Sequence, residues 1–450
     1  MTEHLALVSR AAIPKFSDLS IAFRLLMILL AATPVFALTS GARAEAAFAM
    51  AAAAILISAA TGAQRDVAPA MRLIRRFSVA MLLPVVWMML QIMPQPFSSL
   101  TNPIWSTAAI ALNDPTLWGR ISLDPGSTMR GLFHYLAMLS LLTGTIIVTR
   151  DRHRAETTLL VLSIVTAFIS LELLLGRLAE FAGIIPNPVE ALITVAALAV
   201  LAGGAVIIMA IERHLSRRDQ DESSLTPLLS RLAIGLTGTV LGIAAASSLA
   251  PRNLLVAIAL GCATLLFIAV VRRIGLRTWP SLTLFLIFAG LATILLIPHL
   301  QNSRSAGIAG FAAADGDSLS LAERALSDTP WLGNGVGSFA FLSQVYRDFG
   351  AAPTPAPPST AISVAVEWGF SGLVALAALA LLVSAALFMG AVRRGRDSFY
   401  ASAAAAGILA LLCGAFCDSG LLLPATQIAA AVMVGLGLAQ SEGRTKGDAG

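Results

Sequence analysis

The sequence predicts an all-α, polytopic integral membrane bundle of about twelve transmembrane helices, and three observations carry that reading. Of the 450 residues, 57% are hydrophobic and only 12% are charged, against about 25% charged in an ordinary soluble domain. The apolar residues gather into runs long enough to cross a hydrocarbon core, which takes roughly 20 residues each. Arginine clusters mark every second connection between those runs, which is the asymmetry that orients helices in a membrane. A soluble globular enzyme is excluded by the first observation.

The apolar runs lie at about 25–41, 45–63, 77–94, 131–148, 157–176, 189–211, 232–248, 253–271, 281–298, 361–389, 400–417 and 420–440. Basic connections hold Arg65, Arg72, Arg75 and Arg76; Arg150, Arg152 and Arg154; Arg213, Arg217 and Arg218; Arg272, Arg273 and Arg277; and Arg393, Arg394 and Arg396. The connections between these are nearly bare, so the positive-inside rule puts both termini in the cytoplasm. A cleaved leader ending at Ala42-Arg43-Ala44 is the alternative reading of the first run.

The net charge of +5 does not point to nucleic acid, because the basic residues sit in short loop clusters and no run is long enough for a binding arm. Cys262, Cys413 and Cys417 all fall in apolar stretches, so they build neither a disulfide framework nor a zinc motif. The chain divides into spans one to nine (1–298), a long loop (299–360), spans ten to twelve (361–440) and a tail (441–450).

Two outward loops stand out by length. The first, about Gln95 to Thr128, carries Trp105, Trp118 and Asp124-Pro125-Gly126; its tryptophans are expected at the membrane interface. The second, about His299 to Thr360, is the longest in the chain, and connections beyond about 12–15 residues are usually functional or disordered. Within it, the stretch from Asp317 to Leu326 predicts a short helix, with Ser320 and Glu323 at capping-box spacing. Pro330 ends that helix, and Gly333, Gly335 and Gly337 predict a tight turn before Phe339. Beyond the loop, Glu367 stands near the outer end of the tenth span. An acid at membrane depth needs a partner or a cavity, so it is read either as a functional group or as half of a salt bridge with a loop arginine.

The stretch Arg324-Ala-Leu-Ser-Asp-Thr-Pro330-Trp-Leu-Gly333-Asn-Gly335-Val-Gly337-Ser-Phe339, followed by Glu367-x-Gly369-x-x-Gly372, resembles the signature loop of the bacterial O-antigen ligase and O-antigen polymerase superfamily. Weaker similarities are Ser248-Leu-Ala-Pro-Arg252-Asn, Pro186-Asn187-Pro188 and Ile121-Ser-Leu-Asp124-Pro125-x-x-Thr128. The resemblance implies a GT-C-like bundle whose large periplasmic loop carries short helices, in the bacterial inner membrane. It implies transfer of a glycan from an undecaprenyl-pyrophosphate-linked donor to a sugar acceptor, in exopolysaccharide, capsule or O-antigen assembly. No metal or other cofactor is implied; a flippase and a chain-length regulator are the implied partners, beside membrane lipids.

That chemistry needs cations for the pyrophosphate and a group that takes the acceptor proton. By the resemblance, Arg252, Arg304 and Arg324 form the pyrophosphate clamp, a task that suits the planar guanidinium fork, and the glycine turn at Gly333, Gly335 and Gly337 lies beside the substrate. Pro358-Ser359 stand where the family places His-Asn, so Glu367 and His299 are the candidates for the proton. His134 also lies in an outer half-span and is read as a structural histidine. Three other readings remain: a ligase that hands the finished chain to lipid A core or another acceptor, a twelve-span transporter, from the basic loop between Arg213 and Arg231 that divides the runs six and six, and an inactive assembly partner.

Overall fold

The computed structural model describes residues 18–39, 41–62, 64–114, 116–181, 192–218, 225–275, 278–300, 307–314, 316–347, 356–394 and 397–441. Among these residues the fold is entirely helical, and twelve long helices each overlap one of the predicted runs. They are α1 (Asp18–Leu38), α2 (Ala42–Ala60), α3 (Gln64–Ile92), α5 (Pro125–Val148), α6 (Arg152–Phe181), α7 (Ile193–Arg218), α8 (Leu225–Leu249), α9 (Arg252–Ile274), α10 (Thr278–Leu300), α13 (Thr360–Arg393), α14 (Phe399–Cys417) and α15 (Pro424–Ser441). Three short helices, α4 (Ile104–Leu112), α11 (Gly316–Ser327) and α12 (Phe339–Tyr346), lie in the two long loops. Ten of the long helices are long and apolar enough to cross a membrane; in α10 the described apolar stretch is Trp279–Leu291. The chain is a multi-pass helical membrane protein.

The periphery shows why only lipid suits this fold. Val79 and Val86 on α3, Val240 on α8, Leu266 on α9, and Val374 and Leu382 on α13 are all exposed. So many large apolar side chains around one bundle would associate in water. The centre is α14, apolar all round and buried along almost its whole length, as a helix enclosed by others must be. Its small residues let α7, α9, α13 and α15 close in on it. Small residues do the same for α7 and α8, where a Cβ added at Gly242 would stand 2.8 Å from the Ala196 carbonyl oxygen.

Several helix ends differ from the sequence reading, and two differences change how residues are read. Helix α3 starts at Gln64, so Arg72, Arg75 and Arg76 lie on a helix rather than in a loop. The reason is amphipathicity: Ala70 and Leu73 are buried while these three arginines are exposed. In the long loop, α11 starts at Gly316, and Ser320 lies inside it, donating its hydroxyl to the Asp317 carbonyl at 2.9 Å. The capping-box spacing is therefore not used as a cap.

The arginine-rich connections converge at one end of the bundle. Arg152 pairs with Asp397 at 3.2 Å, Arg231 with Glu156 at 2.5 Å, Arg272 with Glu212 at 2.8 Å, and Arg213 with Glu156. The two long loops lie together at the opposite end.

Candidate functional site

At the loop end, three segments far apart in sequence form one hydrogen-bonded knot. The first runs from the end of α3 into the first long loop. The second is the glycine turn between α11 and α12. The third is a break in α13, where Gly369 takes φ 75° and ψ 170° and divides the helix in two.

The backbone of the glycine turn is stitched to the break. The Asn334 N–H donates to the Val366 carbonyl and the Gly335 N–H to the Glu367 carbonyl, each at 3.0 Å. On the other side, the Leu123 N–H donates to the Asn334 carbonyl at 2.8 Å, and the Ser122 N–H to the Gln91 carbonyl at 3.0 Å. Gln91, buried at the end of α3, donates its side-chain amide to the carbonyls of Leu332 (3.0 Å) and Glu367 (2.9 Å). Breaking a helix frees carbonyls that need donors, and these contacts supply them. The Asn102 amide donates to Asn334 Oδ1 at 3.1 Å, and Thr128 donates to the Val336 carbonyl at 3.1 Å.

Glu367 sits in this knot half-buried. Ser363 Oγ donates to its Oε1 at 3.3 Å and the Phe339 N–H at 3.4 Å, and the Gly337 N–H also reaches the carboxylate. Among the described residues no arginine meets it, so the salt-bridge reading does not describe its contacts. Instead the acid lies at the N-terminus of α12, where free N–H groups and the helix dipole favour negative charge. The amides of Gly335 and Gly337 are thus engaged by the chain itself.

The apolar faces of α11 and α12 hold the turn in place. Leu319, Ala322 and Ala325 pack with Phe339 and Leu342 against Ile362 and Val366 of α13. Helix α13 begins at Ser359, whose hydroxyl caps it by accepting the Ile362 N–H at 3.2 Å. Here Ser359 serves the helix start, a task that the sequence similarity alone did not reveal. The Asp124-Pro125-Gly126 motif opens α5 in the same way: the Asp124 carboxylate accepts the Gly126 N–H at 2.9 Å and the Ser127 hydroxyl at 2.6 Å. Those bonds, the Ser127 hydroxyl foremost, hold its carboxyl below the usual range.

The other sequence candidates lie around the knot rather than in it. Arg252 is exposed at the first turn of α9, and the neighbouring Asn253 amide donates to the Phe311 carbonyl at 3.0 Å, joining α9 to the 307–311 turn. Arg324 is exposed in the last turn of α11, with its Nε donating to the Ser320 carbonyl at 3.2 Å. Arg304, Pro186-Asn187-Pro188 and the side chain of His299 lie outside the described residues. His134 is hydrogen-bonded to Gln427 at 2.6 Å and packs on the Phe48 ring, a structural arrangement. Trp105 is held inside the first loop, donating to the Ser122 carbonyl at 3.0 Å with Arg120 over its ring; Trp118 is exposed.

Asp418, which ends α14, escaped sequence reasoning. Its two carboxylate oxygens share the single Thr194 hydroxyl proton, at 2.7 and 3.0 Å, while its backbone carbonyl accepts the Thr360 N–H at 2.8 Å. Burial pushes its carboxyl up to about 6. It ties the starts of α7 and α13 to the end of α14. The available signal was an acid closing an apolar run, a position as costly as that of Glu367.

Fold and site together define a multi-pass helical membrane protein with a loop-built polar site at one end, centred on an acid in a broken helix. No protein-family model matches the chain, and no curated protein matches it either.

Proposed function

We propose that the chain is a membrane glycan transferase of the O-antigen ligase and polymerase type. It polymerises or ligates undecaprenyl-pyrophosphate-linked oligosaccharide repeats in the assembly of exopolysaccharide, capsule or O-antigen. The observation that supports this reading best is the meeting of the two signature stretches. The glycine turn after Arg324 and the Glu367-x-Gly369 element are bonded to each other through Asn334, Gly335, Gly337 and Phe339. The acceptor hydroxyl attacks the anomeric carbon of the donor, the bond from that carbon to the pyrophosphate breaks, and undecaprenyl pyrophosphate leaves. The proton passes to Glu367, to His299 or to the departing phosphate. Arg252, Arg304 and Arg324 hold the pyrophosphate, and the exposure of Arg252 and Arg324 leaves both open to a lipid-linked donor.

The reading places the protein in a bacterial inner membrane with both termini cytoplasmic and the long loop periplasmic. Reporter fusions at Gln220 and Arg394 are expected to report cytoplasm, and fusions at Asp114 and Gly350 periplasm. A cytoplasmic signal at Gly350 would take the site away from the face where lipid-linked glycans are exposed, and the proposal would fall.

The direct test is Arg252. Arg252→Lys is expected to reduce polymer as severely as Arg252→Ala, since a point charge does not reproduce the bidentate fork. Normal polymer from Arg252→Ala at unchanged protein level overturns the clamp. One observation favours a second reading, that of an assembly partner without activity: Pro358-Ser359 stand where the resembled family places His-Asn. A chain that still supports polymer formation with both Glu367 and His299 replaced would fit that reading.

A further inference from the structure

The arginine-rich end of the bundle holds a second polar cluster, separate from the site above. Its backbone is a chain of ion pairs: Arg231 with Glu156, Glu156 with Arg213, Arg213 with Asp397 at 3.6 Å, and Asp397 with Arg152. Each of the two carboxylates is therefore shared between two guanidinium groups. Arg394, near Asp397, adds a further positive charge. Burial holds the Arg394 guanidinium below its ordinary range, and the like charges of Arg150 and Arg152 add to that effect. The positive charge thus exceeds what Glu156 and Asp397 neutralise.

Further polar groups gather at the same place. Among the described residues, the hydroxyls of Tyr400 and Ser398 and the Nη1 of Arg394 are buried without a hydrogen-bond partner, as are Arg213 Nη2 and Asp397 Oδ1, which face each other at 3.6 Å, and Tyr400 and Ser398 are 1% and 0% exposed. Buried polar groups left so are costly, and a surplus of buried positive charge more so. The cluster reaches the surface at Arg152, whose side chain is 56% exposed. Guanidinium and hydroxyl donors gathered at the end of a transmembrane bundle suit a tetrahedral oxyanion, and basic pockets between membrane helices are known lipid headgroup sites.

We propose that Arg152, Arg394, Ser398 and Tyr400 bind a phosphate group, and that the position of the cluster at the helix ends makes an anionic phospholipid headgroup its source. Dissolved phosphate offers the same chemistry, so the test separates the two. The full-length protein is placed in nanodiscs of phosphatidylcholine alone, of phosphatidylcholine with phosphatidylglycerol, or of phosphatidylcholine with sodium phosphate in the buffer. Thermal unfolding and native mass spectrometry are the readouts. Phosphatidylglycerol is expected to raise Tm and to stay bound through ionisation, and Arg394→Gln to lower its retention about tenfold, as for loss of a charge-assisted bond. A matching rise of Tm with sodium phosphate, lost in Arg394→Gln, supports the phosphate site and overturns the lipid as its source. Equal retention of phosphatidylglycerol by Arg394→Gln, with unfolding in phosphatidylcholine unchanged, overturns the site. Should Arg394→Gln fail to fold, Tyr400→Phe removes only one hydroxyl: a fall in retention supports the site, and unchanged retention overturns it.

Discussion

Glu367→Gln is expected to cut glycan transfer by about 100- to 10,000-fold, the range that a positioned general acid or base contributes, at unchanged protein level. His299→Gln is expected to slow transfer less. The contrast follows from how Glu367 is held. Ser363, Phe339 and Gly337 present only donors to its carboxylate, so one orientation is fixed. Glutamine keeps the size, but it replaces one acceptor oxygen with an NH2 group that faces those donors. Its failure would therefore reflect charge or proton transfer together with the order of the glycine turn. Thermal unfolding separates the two: an inactive variant that unfolds like the wild type has lost chemistry, whereas one that unfolds early has lost the turn. Full activity of Glu367→Gln with an inactive His299→Gln reverses the roles, and full activity of both points to the departing pyrophosphate as proton acceptor or to the assembly-partner reading.

The bundle was legible in the sequence because its signal is long and redundant. Each run of apolar residues crosses a membrane without help from distant contacts, and all twelve runs have a helix over them. The edges were less legible. Arg72, Arg75 and Arg76 read as a loop because charge was taken to end a span, yet an amphipathic helix carries charge on one face without breaking. The knot was half legible. Glu367 and the glycines stood out as an acid and a turn in unusual places, but nothing local linked them to Gln91, Asn102 or Asn334. Gln91 and Asn334 matter because they donate to the Glu367 and Val366 carbonyls freed by the break in α13, the first of them 276 residues away from Gln91, and Asn102 matters because it donates to Asn334 Oδ1. The residues of α13 suit continuous helix on both sides of Gly369, so Glu367-x-Gly369 marked the place without revealing that the helix breaks there.

Gly369→Ala is expected to damage the protein about as much as loss of Glu367, by a different route. At φ 75° and ψ 170° the residue lies in a region open essentially to glycine alone, and holding another residue there costs about 1–3 kcal/mol. Steric contact adds to this, since a Cβ at Gly369 would collide with the Trp331 carbonyl and stand 2.6 Å from the Gly333 nitrogen. These are backbone atoms of the turn, which rotamer changes do not relieve. The turn must therefore move away or the break must straighten into continuous helix. Either change pulls the Asn334 and Gly335 amides from the carbonyls of Val366 and Glu367 and takes the Gly337 and Phe339 amides from the Glu367 carboxylate. Transfer should fall with it, and thermal unfolding in detergent should begin at a lower temperature. Gly204→Ala in α7 is the matched control: a Cβ there meets nothing within 4 Å, and its backbone is not in the positive-φ region. Alanine favours a helix over glycine by about 1 kcal/mol, so that variant should unfold no earlier than the wild type. Wild-type unfolding and activity in Gly369→Ala would mean that the break in α13 is not needed for the site.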